Sequence, residues 1–168
     1  MRSEVDMVIS VRQETLLARA ERWLASIPQS LPLLALRFAL AVPFYKSGMT
    51  KWDGFLKLSG GAEFLFTSEF KLHILGQQYA YPFPYLAAYG AGIAEIVLPV
   101  LLVLGLFTRF AALGLLVMTA IIQITVPEGW ANFHLPWAAM ALTLVVFGGG
   151  KIAADTLIRK LLPEAGGR

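Results

Sequence analysis

Cysteine is absent from the 168-residue chain, and charged residues make up only 15% of it. Without cysteine there are no disulfides, no thiolate nucleophiles and no thiolate ligands for an iron–sulfur cluster. Soluble domains average about 25% charged residues, so this chain has too few polar residues to cover a core in water. A soluble enzyme is therefore not expected, and any redox reaction would need a centre held by a partner.

Histidines and basic residues do not form the patterns that indicate a metal or a nucleic-acid site. His73 and His134 are the two imidazoles, whereas a tight transition-metal site usually needs three or four His, Cys or carboxylate ligands. The 14 Lys and Arg are interspersed with 11 Asp and Glu, and no basic stripe forms despite the net charge of +3. We expect no resident metal or cofactor and no nucleic-acid partner.

Hydrophobic residues make up 57% of the chain and gather in four long runs. A helix needs about 20 apolar residues to cross about 30 Å of hydrocarbon. The runs predict membrane-spanning helices over about residues 31–50, 84–107, 109–127 and 134–150. Between the second and third runs, Gly105 and Thr108 supply a helix-ending glycine and an N-cap, which predicts a tight antiparallel hairpin. The predicted fold is all-α, an integral-membrane four-helix up-down bundle over residues 31–160.

Lysine and arginine near the ends of the runs predict the orientation, because cationic loops stay in the cytoplasm. Nine cations would lie at cytoplasmic ends and three on the other side, which places both termini inside. The nine are Arg2, Arg12, Arg19, Arg22, Arg109, Lys151, Arg159, Lys160 and Arg168, and the three are Lys51, Lys57 and Lys71.

The segments outside the runs have their own patterns. Residues 1–30 carry apolar side chains at three- and four-residue spacing, which predicts an amphipathic helix on the cytoplasmic membrane face; a solvated, partly disordered tail is the alternative. Charges interrupt this segment, so no cleavable signal peptide is expected. Residues 161–168 are a short cytoplasmic tail. Residues 51–83 are rich in aromatic rings, with Gly60-Gly61 between two short helical patterns, and predict a helical outer loop that covers the bundle or dips into it.

Ionisable residues inside the runs are the main candidates for a site, because charge in hydrocarbon is costly unless it is paired or hydrated. Glu95 lies 11 residues into its run, about 17 Å from either end. We predict that a polar set converges with it in the outer half of the bundle and binds a ligand. A buried ion pair between Arg37 and Glu95 that only fixes helix register is an equal alternative. The predicted set is Arg37, Tyr45, Glu95, Gln123 and His134.

Several short motifs lie within the predicted spans or at their boundaries. They are Arg37, Ser47-Gly48-x-x-Lys51-Trp52, Ala94-Glu95, Gly105-Leu-x-Thr108-Arg109, and Gly148-Gly-Gly-Lys151 with Asp155. This ordered set resembles the DoxX family over most of residues 33–160. Lys151 stands where the family often has Arg, and Ala154 replaces the usual Ser before Asp155. The resemblance implies a four-helix protein of the bacterial inner membrane, of a kind associated with quinone-linked sulfur oxidation, oxidative or thiol stress, and metal-handling peptides.

Together these observations favour a non-catalytic accessory subunit of a membrane redox, oxidative-stress or metal-handling system. Its partner would be a membrane or periplasmic redox protein, and quinone or a small solute would bind through that partner or inside the bundle. A small-solute or proton-coupled transporter or channel is the first alternative, and it requires a homo-oligomer, since four helices rarely enclose a pathway alone. A structural or assembly scaffold is the second alternative.

Overall fold

The computed structural model describes residues 15–161, and the predictions for residues 1–14 and 162–168 lie outside that part. The described chain is mostly helical. Its helices are α1 (Thr15–Ala25), α2 (Ser30–Met49), α3 (Gly60–Phe64), α4 (Pro84–Leu104), α5 (Thr108–Thr125), α6 (Leu135–Phe147) and α7 (Ala154–Leu161). The short strands are β1 (Trp52–Gly54), β2 (Lys57–Leu58), β3 (Lys71–Ile74) and β4 (Gln77–Ala80).

The four long helices α2, α4, α5 and α6 pack around one apolar core. Helix α2 packs against α4 and α6, and α5 packs against the same two helices. Fully buried side chains come from each helix, among them Leu40, Leu102, Leu115 and Leu144. Many of the remaining large apolar side chains on these helices are exposed, as a surface in contact with lipid requires.

Three helical segments are long and apolar enough to cross a membrane: Pro84–Leu104, Thr108–Thr125 and Pro127–Phe147. Helix α2 meets the same test only when it is joined to α1 across a bend of 62°. The predicted fourth span, 134–150, is displaced. Its helical path begins at Pro127 with a 3₁₀ turn and a π turn (Trp130–His134), and it ends at Phe147.

The connection between α4 and α5 is tight, as predicted, but its capping differs. Gly105 ends α4 with a φ of +71°, a conformation that glycine adopts without strain. Thr108 is the first residue of α5 rather than its N-cap, and Phe107 precedes it with no capping hydrogen bond from its own side chain. The predicted Thr108 cap is therefore wrong.

The segment between α2 and α4 is helical only over α3 and a following π turn (Leu65–Glu69), and it also contains two β-hairpins, so the predicted helical outer loop and the all-α class are only partly right there. β1 pairs antiparallel with β2, and β3 pairs antiparallel with β4 from Lys71↔Ala80 to Ile74↔Gln77. Leu75 and Gly76 both have positive φ, as the favoured two-residue hairpin turn requires. Gly60-Gly61 is the start of α3, where the Ser59 side chain accepts a hydrogen bond from the backbone of Ala62, and not a hinge between two helices.

Candidate functional site

The two ends of the bundle differ in chemistry. We call the end that carries both hairpins the hairpin end, and the opposite end, where Arg109, Lys151 and Arg159 lie around the start of α5 and of α7, the basic end. At the hairpin end, His73 of β3 bonds through its ring nitrogen to the carbonyl of Ile124, 3.2 Å away, which ties the second hairpin to α5.

A cavity of about 480 Å³ lies toward the hairpin end, between the long helices and the segment that connects α2 to α4. Its lining is almost entirely apolar. The lining residues are Pro43, Phe44, Ser47, Lys51, Phe66, Phe70, Tyr81, Ala87, Gly90, Ala91, Ala94, Glu95, Met118, Ile121, Ile122, Thr125, Val126 and Trp137. Lys51 and Glu95 are the two charged residues in this set, so a ligand in the cavity would contact one ion pair among mostly apolar side chains.

Lys51 and Glu95 form a buried salt bridge in the wall of this cavity. The Lys51 Nζ lies 2.5 Å from Glu95 Oε2 and 3.0 Å from Ser47 Oγ, and the two charged side chains are 12% and 5% exposed. The close contact of α2 with α4 depends on Gly48, because a Cβ there would lie 2.9 Å from the backbone carbonyl of Glu95. Gly48 thus lets the backbones of α2 and α4 approach each other closely beside the ion pair.

Arg37 does not pair with Glu95, so that predicted pairing is wrong. Its Nε donates to the carbonyl of Leu102 at 2.7 Å, one Nη donates to the carbonyl of Val103, and the other lies 3.4 Å from the carbonyl of Gly149. Leu102 is seven residues beyond Glu95, about 10 Å further along α4. The last carbonyls of a helix have no intrahelical partner, and Arg37 satisfies two of them, so its role is to close the end of α4.

Asp155 performs the corresponding task for α5. Its two carboxylate oxygens accept hydrogen bonds from the backbone N–H groups of Phe107 and Thr108, at 2.7 and 2.8 Å, and its own N–H donates to the carbonyl of Gly105 at 2.9 Å. Burial disfavours the charged carboxylate, but the two N–H donors and the nearby Arg159 together outweigh burial and lower the pKa of Asp155. Asp155 therefore caps α5 and joins α7 to the connection between α4 and α5.

The polar residues predicted for the third and fourth spans lie beside the cavity rather than in its wall. His134 is buried, and its Nδ1 lies 2.6 Å from Gln123 Oε1. The Gln123 side chain also donates to the carbonyl of Pro127 at 3.3 Å. The His134 ring packs against Trp137, which does line the cavity. The Gln123–His134 pair therefore lies behind the Trp137 ring and supports it in the cavity wall.

The remaining predicted positions lie away from the cavity. Tyr45 is 42% exposed, on the outside of α2. Arg109 donates to the carbonyl of Val145 at 3.2 Å, and the backbone N–H of Lys151 donates to Ser30 Oγ at 3.0 Å, both at the basic end. Of the predicted set, the structure brings Gln123 and His134 together and places Glu95 in the cavity wall, but it does not bring Arg37 or Tyr45 to them.

Aromatic side chains that the sequence did not single out form much of the cavity wall. Phe66 contacts Phe70 and Tyr81 edge to face, with ring centroids 5.2 and 5.4 Å apart, and Phe44 lies 5.0 Å from Trp137. The Tyr81 hydroxyl is 2.5 Å from Thr125 Oγ1, which links the connecting segment to α5 across the cavity. The aromatic content of residues 51–83 was a signal for a cap, but it did not identify the rings that face inward.

The described residues contain no group of three His, Cys, Asp or Glu placed to hold a metal ion. The cavity instead offers ring surfaces, one ammonium and one carboxylate. Such a site can bind an apolar molecule and orient its polar end toward the Lys51–Glu95 pair.

Two comparisons with known proteins give matches. The family model described as DoxX matches residues 32–128. An uncharacterized protein of Haemophilus influenzae is 31% identical over 149 residues, which cover 82% of this chain and 89% of that protein. No solved structure gives a significant match. The segment matched by the family model contains both hairpins and the Lys51–Glu95 pair, whereas Asp155 lies beyond it.

Proposed function

The chain belongs to the DoxX family of membrane proteins, and on this basis we propose that it is a non-catalytic accessory subunit that binds a quinone in its cavity. One observation carries the proposal: a cavity of about 480 Å³ lined by aromatic and aliphatic side chains has a single ion pair in its wall. Cavities of about 300–1,000 Å³ with a few polar groups are typical of small-molecule sites.

The residues of the cavity fit the chemistry of a quinone. A quinone ring is flat and apolar on its faces, so it packs against rings such as Phe44 and Trp137. Its carbonyl oxygens accept hydrogen bonds, and the Lys51 ammonium in the wall can donate one by giving up its long, 3.5 Å contact with the carbonyl of Ser47. Bound quinone would supply two-electron redox chemistry, while the protein's own residues bind it, orient it and exclude water.

We place the protein in the bacterial inner membrane as a four-span up-down bundle with both termini in the cytoplasm. The distribution of cations supports this orientation, because Arg109, Lys151 and Arg159 share the basic end, while Lys57 and Lys71 belong to the hairpin end. The cavity then lies in the periplasmic half of the membrane. α1 follows the cytoplasmic surface, with Leu16, Trp23 and Leu24 among its exposed apolar side chains.

The accessory role rests on the chemistry that the chain supplies. It has no cysteine, and its cavity holds one ion pair. A membrane or periplasmic redox protein docked at the hairpin end would carry the electron-transferring centre. A homo-oligomeric transporter of small solutes or protons is the rival, with the Lys51–Glu95 pair as its coupling site.

A binding measurement on the purified full-length protein in nanodiscs tests the proposal, with a short-chain ubiquinone analogue as the ligand. Ala94→Phe places a ring in the cavity, and Ala120→Phe makes the same change on the exposed surface of α5. We expect Ala94→Phe to weaken binding by about tenfold or more, and Ala120→Phe to leave it unchanged. Gly90→Phe is a second cavity variant, since a Cβ there meets no atom within 4 Å.

Equal affinity in the cavity variants and in Ala120→Phe would contradict binding at this site. Wild-type protein that binds no quinone but carries solute or proton flux in proteoliposomes, with the flux abolished by Glu95→Gln, would establish the transporter instead.

A further inference from the structure

A second recess, of about 390 Å³, lies at the basic end and is separate from the quinone cavity, with which it shares no lining residue. It is framed by the start of α2, the start of α5, the connection between α6 and α7, and one face of α7. Its lining residues are Pro28, Gln29, Ser30, Leu33, Arg109, Phe147, Gly148, Gly149, Gly150, Lys151, Asp155, Thr156 and Arg159.

The charge of this recess is positive. Arg109, Lys151 and Arg159 face one carboxylate, Asp155, and both oxygens of that carboxylate already accept backbone hydrogen bonds. Within residues 15–161 none of the three cations has a carboxylate within salt-bridge distance. Arg109 uses one Nη on the carbonyl of Val145, and a guanidinium has five N–H donors in all. The recess therefore holds three cations against one carboxylate, an excess of positive charge.

The recess is also amphipathic. Phe147, one of its lining residues, is 64% exposed. Ile152, Leu157 and Leu161, on the segment that follows Phe147, are also exposed. Arg109 lies at the first turn of α5 and Phe147 at the last residue of α6, so the recess sits where the spanning helices enter and leave the bilayer. Lipid headgroups occupy that level of a membrane.

We propose that this recess binds the phosphate group of an anionic phospholipid, with the lipid tails against the exposed apolar side chains of the basic end. Phosphate oxygens accept charge-assisted hydrogen bonds from Arg and Lys, and basic pockets beside membrane helices select anionic headgroups for this reason. The neighbouring Phe147 favours a phospholipid over free phosphate, because only the lipid brings a hydrocarbon chain to cover that ring.

Native mass spectrometry of the full-length protein, released from nanodiscs, tests this inference with phosphatidylglycerol and phosphatidylcholine of identical acyl chains. The variant is Lys151→Gln with Arg159→Gln, and it leaves the Arg109 hydrogen bond intact. The matched control is Lys57→Gln with Lys71→Gln, which removes the same charge from the hairpin end. We expect the wild type and the control to prefer phosphatidylglycerol, and the variant to bind it about 30-fold more weakly.

Three outcomes would overturn the proposal: a wild type with no preference for phosphatidylglycerol, a variant that keeps the preference, or a control that loses it as the variant does. Inorganic phosphate, added at the same concentration as the lipid, separates the two sources of a phosphate group. If it displaces phosphatidylglycerol, the occupant is a free anion and the lipid assignment is wrong. If it does not, the acyl chains contribute to binding, as proposed.

Discussion

The buried Lys51–Glu95 pair predicts a strong energetic coupling between two residues that are 44 positions apart in the chain. Both side chains are almost fully buried, so removing one leaves the other charged in an apolar wall. Breaking a buried ion pair in this way costs about 3–5 kcal/mol. We expect Lys51→Met and Glu95→Gln each to lower the free energy of unfolding by about 3 kcal/mol, and the double variant to lower it by less than either single change.

Arg37 provides the matched comparison, because the sequence makes it an equally plausible partner for Glu95. Arg37→Gln should itself cost about 1–3 kcal/mol, since it removes the side-chain donor of the Val103 carbonyl and leaves the Leu102 carbonyl with the backbone N–H of Gly105 as its remaining donor. Its effect should add to that of Glu95→Gln within about 0.5 kcal/mol, because the two sites share no partner and lie about 10 Å apart along α4. Lys51 and Glu95 should instead show a coupling of at least about 3 kcal/mol.

The assay is reversible unfolding in mixed micelles of dodecyl maltoside and sodium dodecyl sulfate, followed by circular dichroism at constant pH. Both cycles use the same detergent series, so errors of extrapolation affect them equally. Additive effects of Lys51→Met and Glu95→Gln, or a coupling between Arg37→Gln and Glu95→Gln as large as the one expected for Lys51, would refute the assignment of the ion pair.

Two further predictions concern packing and pH. Gly48→Ala should lower stability by about 1–3 kcal/mol, because the new Cβ meets the Glu95 backbone at 2.9 Å. Gly90→Ala is the control, since its Cβ meets no atom within 4 Å, and it should leave stability unchanged or raise it by up to about 1 kcal/mol. Equal losses of stability in thermal unfolding of the two variants would contradict this expectation. The folded state lowers the pKa of Asp155, so the contribution of this carboxylate to stability is present above its ordinary pKa of about 3.8 and is lost as the pH falls through the lower, folded-state pKa. Asp155→Asn should therefore lower stability at neutral pH and flatten its decline on acidification, and parallel stability curves would argue against this role.

The positions of the spanning helices could be predicted from the sequence, because the thickness of the bilayer sets the length of each apolar run. The runs that contain α4 and α5 illustrate this, since the ends of the predicted ranges 84–107 and 109–127 differ from those of the observed helices by three residues or fewer. The predicted start of the fourth span was wrong. Its helical path begins at Pro127, with Glu128 on the first turn, and these residues lowered the apolar signal that marks a span.

The hairpins could not be predicted, because the turn in the second one relies on Leu75 at a positive φ of 50°. Leucine gives no turn signal at that position, and only Gly76 does. The partner of Glu95 was missed for a different reason. Arg37 and Lys51 lie on the same face of the first span, 14 residues apart, and periodicity cannot tell which one is level with Glu95. That choice depends on the register between α2 and α4, which only the packed structure contains.

Polar side chains at the two ends of the bundle have different kinds of partner, and the partner indicates the role of each side chain. Arg37 and Asp155 bond to backbone groups of the α4–α5 hairpin, so their loss exposes helix ends and reduces the amount of folded protein. Lys51 and Glu95 bond to each other across the cavity wall, so replacing both removes the charge that a ligand meets while leaving no unpaired ion. Lys51→Met with Glu95→Gln should therefore weaken quinone binding at near wild-type stability, whereas variants of Arg37 or Asp155 should lower stability while the remaining folded protein binds quinone normally.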